Sequence, residues 1–331
     1  MRLRSKAVKI LAAPIILLVL AAILYAGGEI YRRHDYRSEF LERKGRLVSV
    51  EETRIEQGPD HSLFQLRFAN DSGIETQGYF RLPSEGSGPY PALVILGGVR
   101  TGRKTLDYVG PTEGLALLAL DYPYEGKKNN LSAWEFVTGL AAMRQAVINT
   151  VPAVMLGVDY LLDRDDIDSE RIVLIGGSVG AFFAAAVAAA DLRIDAVVLL
   201  FGGGDLRAIG EANLDMPAII ARPAVWPLAV LVSPVEPLKY IDQIAPRPLL
   251  MLNGTDDPRI PERCSRLLHE RAKDPKTIRW IPAGHVSVRT KKFRGLVGRE
   301  LATWLVDNEL ISPGAMFPEL LGGPSPPDSS H

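Results

Sequence analysis

The feature that most constrains this chain is the stretch of residues 171–190, which reads RIVLIGGSVGAFFAAAVAAA. Residues 171–175 form a short, mostly apolar run rich in β-branched side chains, which predicts a strand buried on both faces. A glycine-rich turn follows, and the alanine-rich remainder has the composition of a helix. The stretch therefore predicts a strand, a tight turn and a helix, with Ser178 at the apex of the turn.

This turn matches the pattern G-x-S-x-G, in which Gly176 and Gly180 flank Ser178. In such a nucleophile elbow a strained backbone holds the serine hydroxyl clear of the sheet, and the glycines allow close packing of strand and helix. The helix that follows directs N–H groups and the positive end of its dipole at the same point. Ser178 is therefore a candidate nucleophile, and the alternative is an ordinary helix N-cap.

The composition favours one large domain. The chain has 331 residues, 47% of them hydrophobic, and a formal net charge of -1, so nothing in its charge suggests a nucleic-acid partner. Its single cysteine, Cys264, excludes an internal disulfide. We expect a globular domain over residues 47–310 and a proline-rich, disordered tail over residues 311–331.

The N-terminus predicts a membrane anchor. Residues 10–28 carry no charge and are long enough to span a bilayer as a helix. We interpret residues 1–28 as an uncleaved single-pass anchor and residues 29–46 as a linker, with a cleaved secretory signal as the alternative. Basic residues on the two sides of the span are nearly balanced, but long domains translocate largely regardless of charge. The expectation is a membrane protein whose globular domain lies outside the cytoplasm.

The remaining hydrophobic pattern indicates an α/β fold. Three alternating segments, at residues 48–56, 62–70 and 74–82, predict an antiparallel meander. Short apolar runs then alternate with helical segments, at residues 92–96, 115–120, 171–175, 196–201, 248–253 and 277–281, which predicts a mostly parallel sheet covered on both faces. Residues 202–245 are rich in glycine, proline and apolar residues, and we interpret them as an inserted cap. Sites in such sheets lie at the carboxyl ends of the strands.

Chemically suitable residues follow several of these predicted strands. Asp205 comes after residues 196–201, Asp256 and Asp257 come after residues 248–253, and His285 comes after the last strand. The other four histidines lie before the parallel sheet, in a charged helix or in the tail. A serine, an acid and a histidine thus occur in that order along the chain.

These motifs resemble the α/β-hydrolase superfamily, in particular the branch of dienelactone hydrolases, acetyl-xylan-esterase-like enzymes and prolyl oligopeptidase catalytic domains. The resemblance rests on DYLLDRDDIDSERIVLIGGSVGA, YIDQIAPRPLLMLNGTDDPRIP and AGH, and covers residues 47–310. It implies an α/β-hydrolase fold with a mostly parallel, eight-stranded sheet. The chain departs from the pattern at Leu96, where many relatives carry histidine.

The resemblance also implies roles for individual residues. Ser178 would be the nucleophile and His285 the base. The pattern G-x-x-D-x-x-x-P aligns Asp257 with the acid of the triad, while Asp256 and Asp205 stay alternative candidates.

The oxyanion donors implied by the resemblance are backbone N–H groups. They belong to Val179 and to Gly98 or Val99.

The implied function is that of a serine hydrolase acting on a small-molecule carboxylic ester through an acyl-enzyme. No metal-ligand cluster or cofactor motif occurs in the sequence, so we expect no cofactor. Two alternatives remain: a peptidase, thioesterase or acyltransferase on the same fold, and a membrane-tethered binding protein without activity.

Overall fold

A computed structural model describes residues 2–84, 86, 88–98, 101–110, 112–124, 132–286 and 290–315. The strands in these ranges are β1 Leu47–Gln57, β2 His61–Asn70, β3 Glu75–Pro83, β4 Tyr90–Leu96, β5 Ala116–Leu120, β6 Ile167–Gly177, β7 Ala196–Leu200, β8 Leu249–Gly254 and β9 Lys276–Ile281. The α-helices are α1 Arg2–Arg33, α2 Arg37–Lys44, α3 Ala133–Leu162, α4 Val179–Ala190, α5 Leu206–Ala212, α6 Ala218–Val232, α7 Glu262–Arg271 and α8 Lys291–Asp307.

All the described strands belong to one sheet, in the order β1-β2-β3-β5-β4-β6-β7-β8-β9. The β1–β2, β2–β3 and β3–β5 pairs are antiparallel and the remaining pairs are parallel. The prediction of eight strands was wrong, because the sheet has nine. The nine strands correspond to the three alternating and six apolar segments predicted above, and only the count of eight differs. β1 is the edge strand, because it pairs with β2 alone, and its largely exposed, charged side chains suit that position.

Both faces of the parallel strands are buried, as their continuous apolar sequences predict. On β4, Ala92 and Val94 pack in a core that includes α3 and α4, whereas Leu93 and Ile95 pack in the core beneath α8. Side chains alternate between the faces of a strand, so a strand covered on both sides must be apolar throughout. Each fully buried leucine or isoleucine contributes roughly 1.5–3 kcal/mol.

Two helices among the described residues are long and apolar enough to cross a membrane. The segment Thr138–Leu162 is 72% buried, so it is a core helix of the domain. The segment Ala218–Val235 is only 33% buried. It lies within residues 202–245, the predicted cap, which form α5, α6 and short 3-10 turns between β7 and β8.

The N-terminal region is helical and docks onto the domain. Residues 10–28, predicted as the anchor, lie within the continuous helix α1. Residues 29–46, predicted as a linker, contain the end of α1 and all of α2, and they bury Tyr36 and Phe40. The ring of Phe40 lies 6.4 Å from that of Tyr240, and Tyr36 donates a hydrogen bond of 3.0 Å to the Tyr31 carbonyl. Isolated aromatic residues in a charged segment gave no periodicity that would reveal this docking.

At the C-terminus, ordered packing continues beyond α8. Leu310, Ile311 and Ala315 are buried against the core beneath α8. Residues 311–315 of the predicted tail are therefore packed, and residues 316–331 lie outside the described residues.

Candidate active site

Ser178 stands at a sharp turn between β6 and α4. Its backbone angles are φ 54° and ψ −116°, in the region that L-residues rarely adopt. Such a conformation costs on the order of 1–3 kcal/mol and persists only where the surroundings impose it. One restraint is the neighbouring strand, because the Ser178 N–H donates to the Leu200 carbonyl at 2.8 Å. The strand–turn–helix predicted from residues 171–190 is thus present, with the serine at its apex.

The two motif glycines allow strand and helix to approach closely. A Cβ on Gly180 would lie 2.0 Å from the Leu96 carbonyl oxygen, and one on Gly176 would lie 2.5 Å from the Gly180 oxygen. Both contacts are with backbone, which cannot move aside without displacing the turn. Gly177 differs, since its nearest such neighbour is the Leu96 oxygen at 3.9 Å.

We therefore expect Gly180→Ala to destabilise the fold by about 3 kcal/mol through overpacking. Denaturant titration measures the change in the free energy of unfolding. Gly177→Ala is the matched control, with an expected change of about 0.5 kcal/mol or less. Equal effects of the two substitutions would contradict this account of the motif.

The structure brings Ser178, His285 and Asp257 together at the carboxyl edge of the sheet. Ser178 Oγ lies 2.7 Å from His285 Nε2, and His285 Nδ1 lies 2.8 Å from Asp257 Oδ2. An ionised carboxylate only accepts hydrogen bonds, so Nδ1 donates to Asp257 and Nε2 is the nitrogen that faces the serine. The three side chains form a continuous hydrogen-bonded chain from a hydroxyl to a carboxylate.

Asp257 is held as a carboxylate. Its side chain is 5% exposed, and burial by itself raises its pKa. Hydrogen bonds from His285 and from the backbone N–H groups of Ile260 and Arg259 outweigh burial, so the pKa lies below its ordinary value. Those N–H groups donate to Oδ1 at 3.0 and 2.7 Å, which leaves Oδ2 for the imidazole.

The other two candidate acids make different contacts. Asp256 is exposed and its carboxylate accepts from the Thr255 hydroxyl at 3.0 Å. Asp205 caps α5, since its Oδ1 accepts from the Ala208 N–H at 3.1 Å. Among the three aspartates, the described contacts pair Asp257 with His285.

The predicted oxyanion donors lie on two adjacent turns. Val179 is the first residue of α4, where an N–H has no intrahelical acceptor. Gly98 follows β4, whose last residue Leu96 pairs with Gly176 on β6. The Gly98 carbonyl accepts from the Thr101 N–H at 2.9 Å, which holds this turn in place. Val99, the other donor considered, lies outside the described residues.

Two aromatic residues without a predicted role support these groups. Phe201, at φ 55° after β7, is fully buried and meets the His285 ring edge-on, with centroids 6.1 Å apart. Tyr122 donates from its hydroxyl to the Gly97 carbonyl in the turn after β4. Each residue lies within two positions of the end of a strand, and this was the available signal, but no pattern indicates which ring turns toward the site.

A buried polar network lies on the strand that leads to Asp257. Asn253 of β8 donates to the Gly202 carbonyl at 2.8 Å and to Ser265 Oγ at 3.1 Å. Its Oδ1 accepts from His269 Nε2 at 2.9 Å. Burial is the main cause that lowers the pKa of His269, to about 4, with Arg266 and Lys276 contributing. His269 is therefore neutral at pH 7.

The lowered pKa of His269 predicts that the folded chain loses stability in mild acid. Its pKa is lower in the folded chain, about 4, than its ordinary 6.5, so the unfolded chain binds a proton first as the pH falls. Its contribution is complete above pH 6.5 and is lost between pH 6.5 and about 4, a change of about 3 kcal/mol. His269→Gln does not titrate, so its free energy of unfolding is expected to fall less over this range. Parallel pH curves for the two chains would contradict the prediction.

Other features of the described residues lie away from this site. Two surface cavities, of about 290 and 350 Å³, open at the amino ends of the strands, and neither is lined by Ser178, Asp257 or His285. Over the same described ranges, no cluster of three histidine, cysteine, aspartate or glutamate residues is arranged to hold a metal ion.

Fold and site together define a class. A mostly parallel sheet with helices on both faces, a serine at a strained strand–helix turn and a histidine after the last strand constitute the α/β-hydrolase fold. The model of the prolyl oligopeptidase family matches residues 140–308, just over half of the chain. The chain belongs to the prolyl oligopeptidase family, and the resemblance seen in its motifs is confirmed.

Individual relatives agree with this assignment. Esterase FrsA of Yersinia pestis (strain Pestoides F) is 26% identical over 172 residues, which cover 48% of this chain and 38% of the relative. This chain therefore matches well under half the length of that curated relative.

Two solved structures share the fold. Acetyl xylan esterase from Paenibacillus sp. R4 superimposes with a TM-score of 0.64 at 17% identity, covering 82% of this chain and 93% of the other. Acetyl xylan esterase 1 from Thermoanaerobacterium sp. JW/SL YS485 superimposes with a TM-score of 0.62 at 17% identity, covering 86% of this chain and 98% of the other. The sheet of nine described strands and its helical layers thus share the fold of these two structures.

Proposed function

We propose that this protein is a serine hydrolase that cleaves carboxylic esters through an acyl-enzyme. The observation that carries the proposal is the hydrogen-bonded chain from Ser178 through His285 to Asp257, with Oγ–Nε2 and Nδ1–Oδ2 distances of 2.7 and 2.8 Å. Acyl transfer by serine requires a base for the hydroxyl proton and a carboxylate that orients the base. The esterase names of the relatives favour an ester as the substrate.

Acylation begins when Ser178 Oγ attacks the ester carbonyl carbon while its proton passes to His285 Nε2. The carbonyl oxygen gains the negative charge and accepts from the N–H groups of Val179 and of Gly98 or Val99. Asp257 stabilises the imidazolium through Nδ1. When the tetrahedral intermediate collapses, the C–O bond to the alcohol breaks and His285 protonates the departing oxygen.

Deacylation repeats these steps with water. His285 removes a proton from a water molecule, whose oxygen attacks the acyl carbon and forms a second tetrahedral intermediate. Its collapse releases the carboxylic acid and returns the proton to Ser178. No group other than the three side chains and the backbone donors is required.

Labelling with a fluorophosphonate probe, followed by peptide mass spectrometry, tests the proposal. We expect the adduct on the peptide that contains Ser178, and slower labelling of His285→Gln, because that variant lacks the base. No labelling by any serine-directed probe would contradict the proposal and favour a binding protein on an inactive fold.

A second candidate is a peptidase, thioesterase or acyltransferase with the same residues. The family match favours it, since the family is that of prolyl oligopeptidase. Rates on an ester, a thioester and an aminoacyl amide with one common acyl group separate the possibilities. We expect the ester to be cleaved fastest, and a faster amide would assign a peptidase.

The proposal includes a membrane location. Residues 1–28 would span the bilayer once, with the catalytic domain on the extracytoplasmic side. Support comes from helix α1, whose 32 residues extend about 48 Å, and from the exposure of its apolar residues such as Leu18 and Leu24. Protease accessibility of the domain in intact and permeabilised cells tests the orientation.

A further inference from the structure

Helix α6 is apolar on every side and yet lies at the surface. Its 15 residues, AIIARPAVWPLAVLV, include one charged side chain, Arg222. Ala221, Val225 and Ala229 form the face that is buried in the domain. A helix that is hydrophobic all round is normally covered on all sides. The outer face of α6 therefore requires a cover that the described residues do not supply.

The outer face consists of large aliphatic groups. Ile219 is 83% exposed, Ile220 54% and Leu228 42%, and Met216 just before the helix is 42% exposed. Ile219 and Ile220 lie on the half of α6 opposite its buried face and Leu228 lies beside that face, and exposed apolar surfaces of this kind mark sites of protein or membrane contact. We call Met216, Ile219, Ile220 and Leu228 the α6 patch.

Helix α1 packs against α6 through specific side-chain contacts. The Tyr25 ring stacks on the Trp226 ring with centroids 5.4 Å apart, and Trp226 Nε1 donates to Glu29 Oε1 at 3.0 Å. Gly28 makes this approach possible, because a Cβ there would lie 2.3 Å from the indole ring. The end of α1 is thus attached to α6 by stacking, a hydrogen bond and close packing.

The α6 patch begins on the side of α6 that contacts α1. Ile219 precedes Trp226 by two helical turns, so both point toward the same side of α6. On α1, the residues before Tyr25 are also apolar and exposed, including Leu17 at 66%, Ile23 at 60% and Leu24 at 69%. Tyrosine and tryptophan at such a junction are typical of the boundary between hydrocarbon and water.

We propose that the α6 patch lies in the surface of a lipid bilayer, and that the enzyme takes long-chain acyl esters directly from the membrane. The 15 residues of α6 extend about 22 Å, less than the roughly 30 Å of a hydrocarbon core, and one face is buried in the domain. The helix therefore lies along the interface and does not cross it. The substrate class rests on the proposed function, whereas the docking does not.

The cap also contacts the candidate catalytic residues. Asn213, at the end of α5, donates to the Arg259 carbonyl at 2.7 Å, and the Arg259 N–H donates to Asp257. Leu206 and Ile209 of α5 pack with Ile260, and Phe182 near Ser178 packs against the same cluster. A bilayer against α6 would thus lie beside the segment that borders the site.

Quenching by lipids tests the docking. The full chain is placed in phosphatidylcholine vesicles that contain a fraction of bromine-labelled chains, with an environment-sensitive fluorophore on Ile220→Cys. The native thiol, Cys264, is buried. We expect strong quenching at position 220 and none at Leu192→Cys. Leu192 is a control site because it is 76% exposed and lies before β7, at the amino ends of the strands, whereas the cap follows their carboxyl ends. Absence of quenching at position 220 would overturn the proposal.

Activity tests the substrate class. The esters are the oleate and the acetate of one fluorogenic alcohol, the first dissolved in the vesicles and the second in water. We expect Ile219→Asp to lower kcat/KM about tenfold for the oleate, because a charge there opposes docking, with the acetate rate within about twofold. Leu192→Asp is expected to leave both rates unchanged.

The remaining outcomes are also decisive. Equal rates for Ile219→Asp and the parent chain on the oleate would overturn the substrate class. A change in oligomeric size of Ile219→Asp in detergent, without lipid quenching, would assign the α6 patch to a second copy and overturn the docking. If the parent chain cleaves neither ester, the proposed function fails, and quenching still decides whether the bilayer covers α6.

Discussion

Ser178→Ala is expected to lower kcat/KM for an activated ester by about 10⁶-fold, because the hydroxyl is the atom that forms the acyl bond. The base and the backbone donors remain, so a small rate above that in water persists. The alanine keeps the Cβ and therefore the strained backbone at φ 54°, so the turn is expected to keep its shape. Steady-state kinetics on one fluorogenic ester measures the loss.

The loss must be chemical and not structural. We expect the Tm of Ser178→Ala to stay within about 2 °C of the parent chain, since the side chain is small and only part-buried. The fluorophosphonate adduct must disappear in the same variant. Retention of more than about 1% of the activity, with a normal Tm, would falsify the assignment of Ser178 as nucleophile.

Asp257→Asn is expected to lower kcat by about 10⁴-fold. Asparagine presents either a donor or a weaker acceptor to Nδ1, so the imidazole no longer keeps the tautomer in which Nε2 accepts the serine proton. The charge that stabilises the imidazolium is lost as well. In the structure, this carboxylate alone among the candidate acids lies 2.8 Å from His285 Nδ1.

The neighbouring residue provides the matched control. Asp256→Asn makes the same chemical change one position earlier, at an exposed side chain, and is expected to leave kcat within about twofold. Asp205→Asn alters a helix cap, so its effect is expected on stability, at about 1 kcal/mol or less. A large loss of kcat in Asp256→Asn with little in Asp257→Asn would reverse the assignment.

How far the fold could be predicted depended on the element. The parallel strands could be predicted from the sequence, since burial on both faces makes them continuously apolar. The tight turn at Ser178 could be predicted from the glycines that flank it. The α/β-hydrolase fold is confirmed accordingly. The segment 48–56 was predicted from its alternating pattern and forms β1, whereas the count of eight strands, which came from the family resemblance, was wrong.

The candidate site also contains residues that could be predicted from the sequence and residues that could not. Ser178 and His285 follow strands of one sheet, and parallel strands bring their carboxyl ends to the same edge, so their proximity could be expected. Residue type did not separate Asp205, Asp256 and Asp257, because three carboxylates beside strand ends look alike in sequence, and only the resemblance to the pattern G-x-x-D-x-x-x-P favoured Asp257. The direction of each side chain separates them, and that direction depends on loop geometry.

The attachment of α1 to α6 could not be predicted from the sequence. Tyr25, Gly28 and Trp226 are far apart along the chain, and nothing in their local patterns pairs them. Local composition accounts for what each segment becomes, because propensity, periodicity and glycine content act over a few residues. Hydrogen-bond partners, the buried network around His269 and the exposed patch on α6 arise only when distant segments pack together, since contacts between them depend on the whole chain.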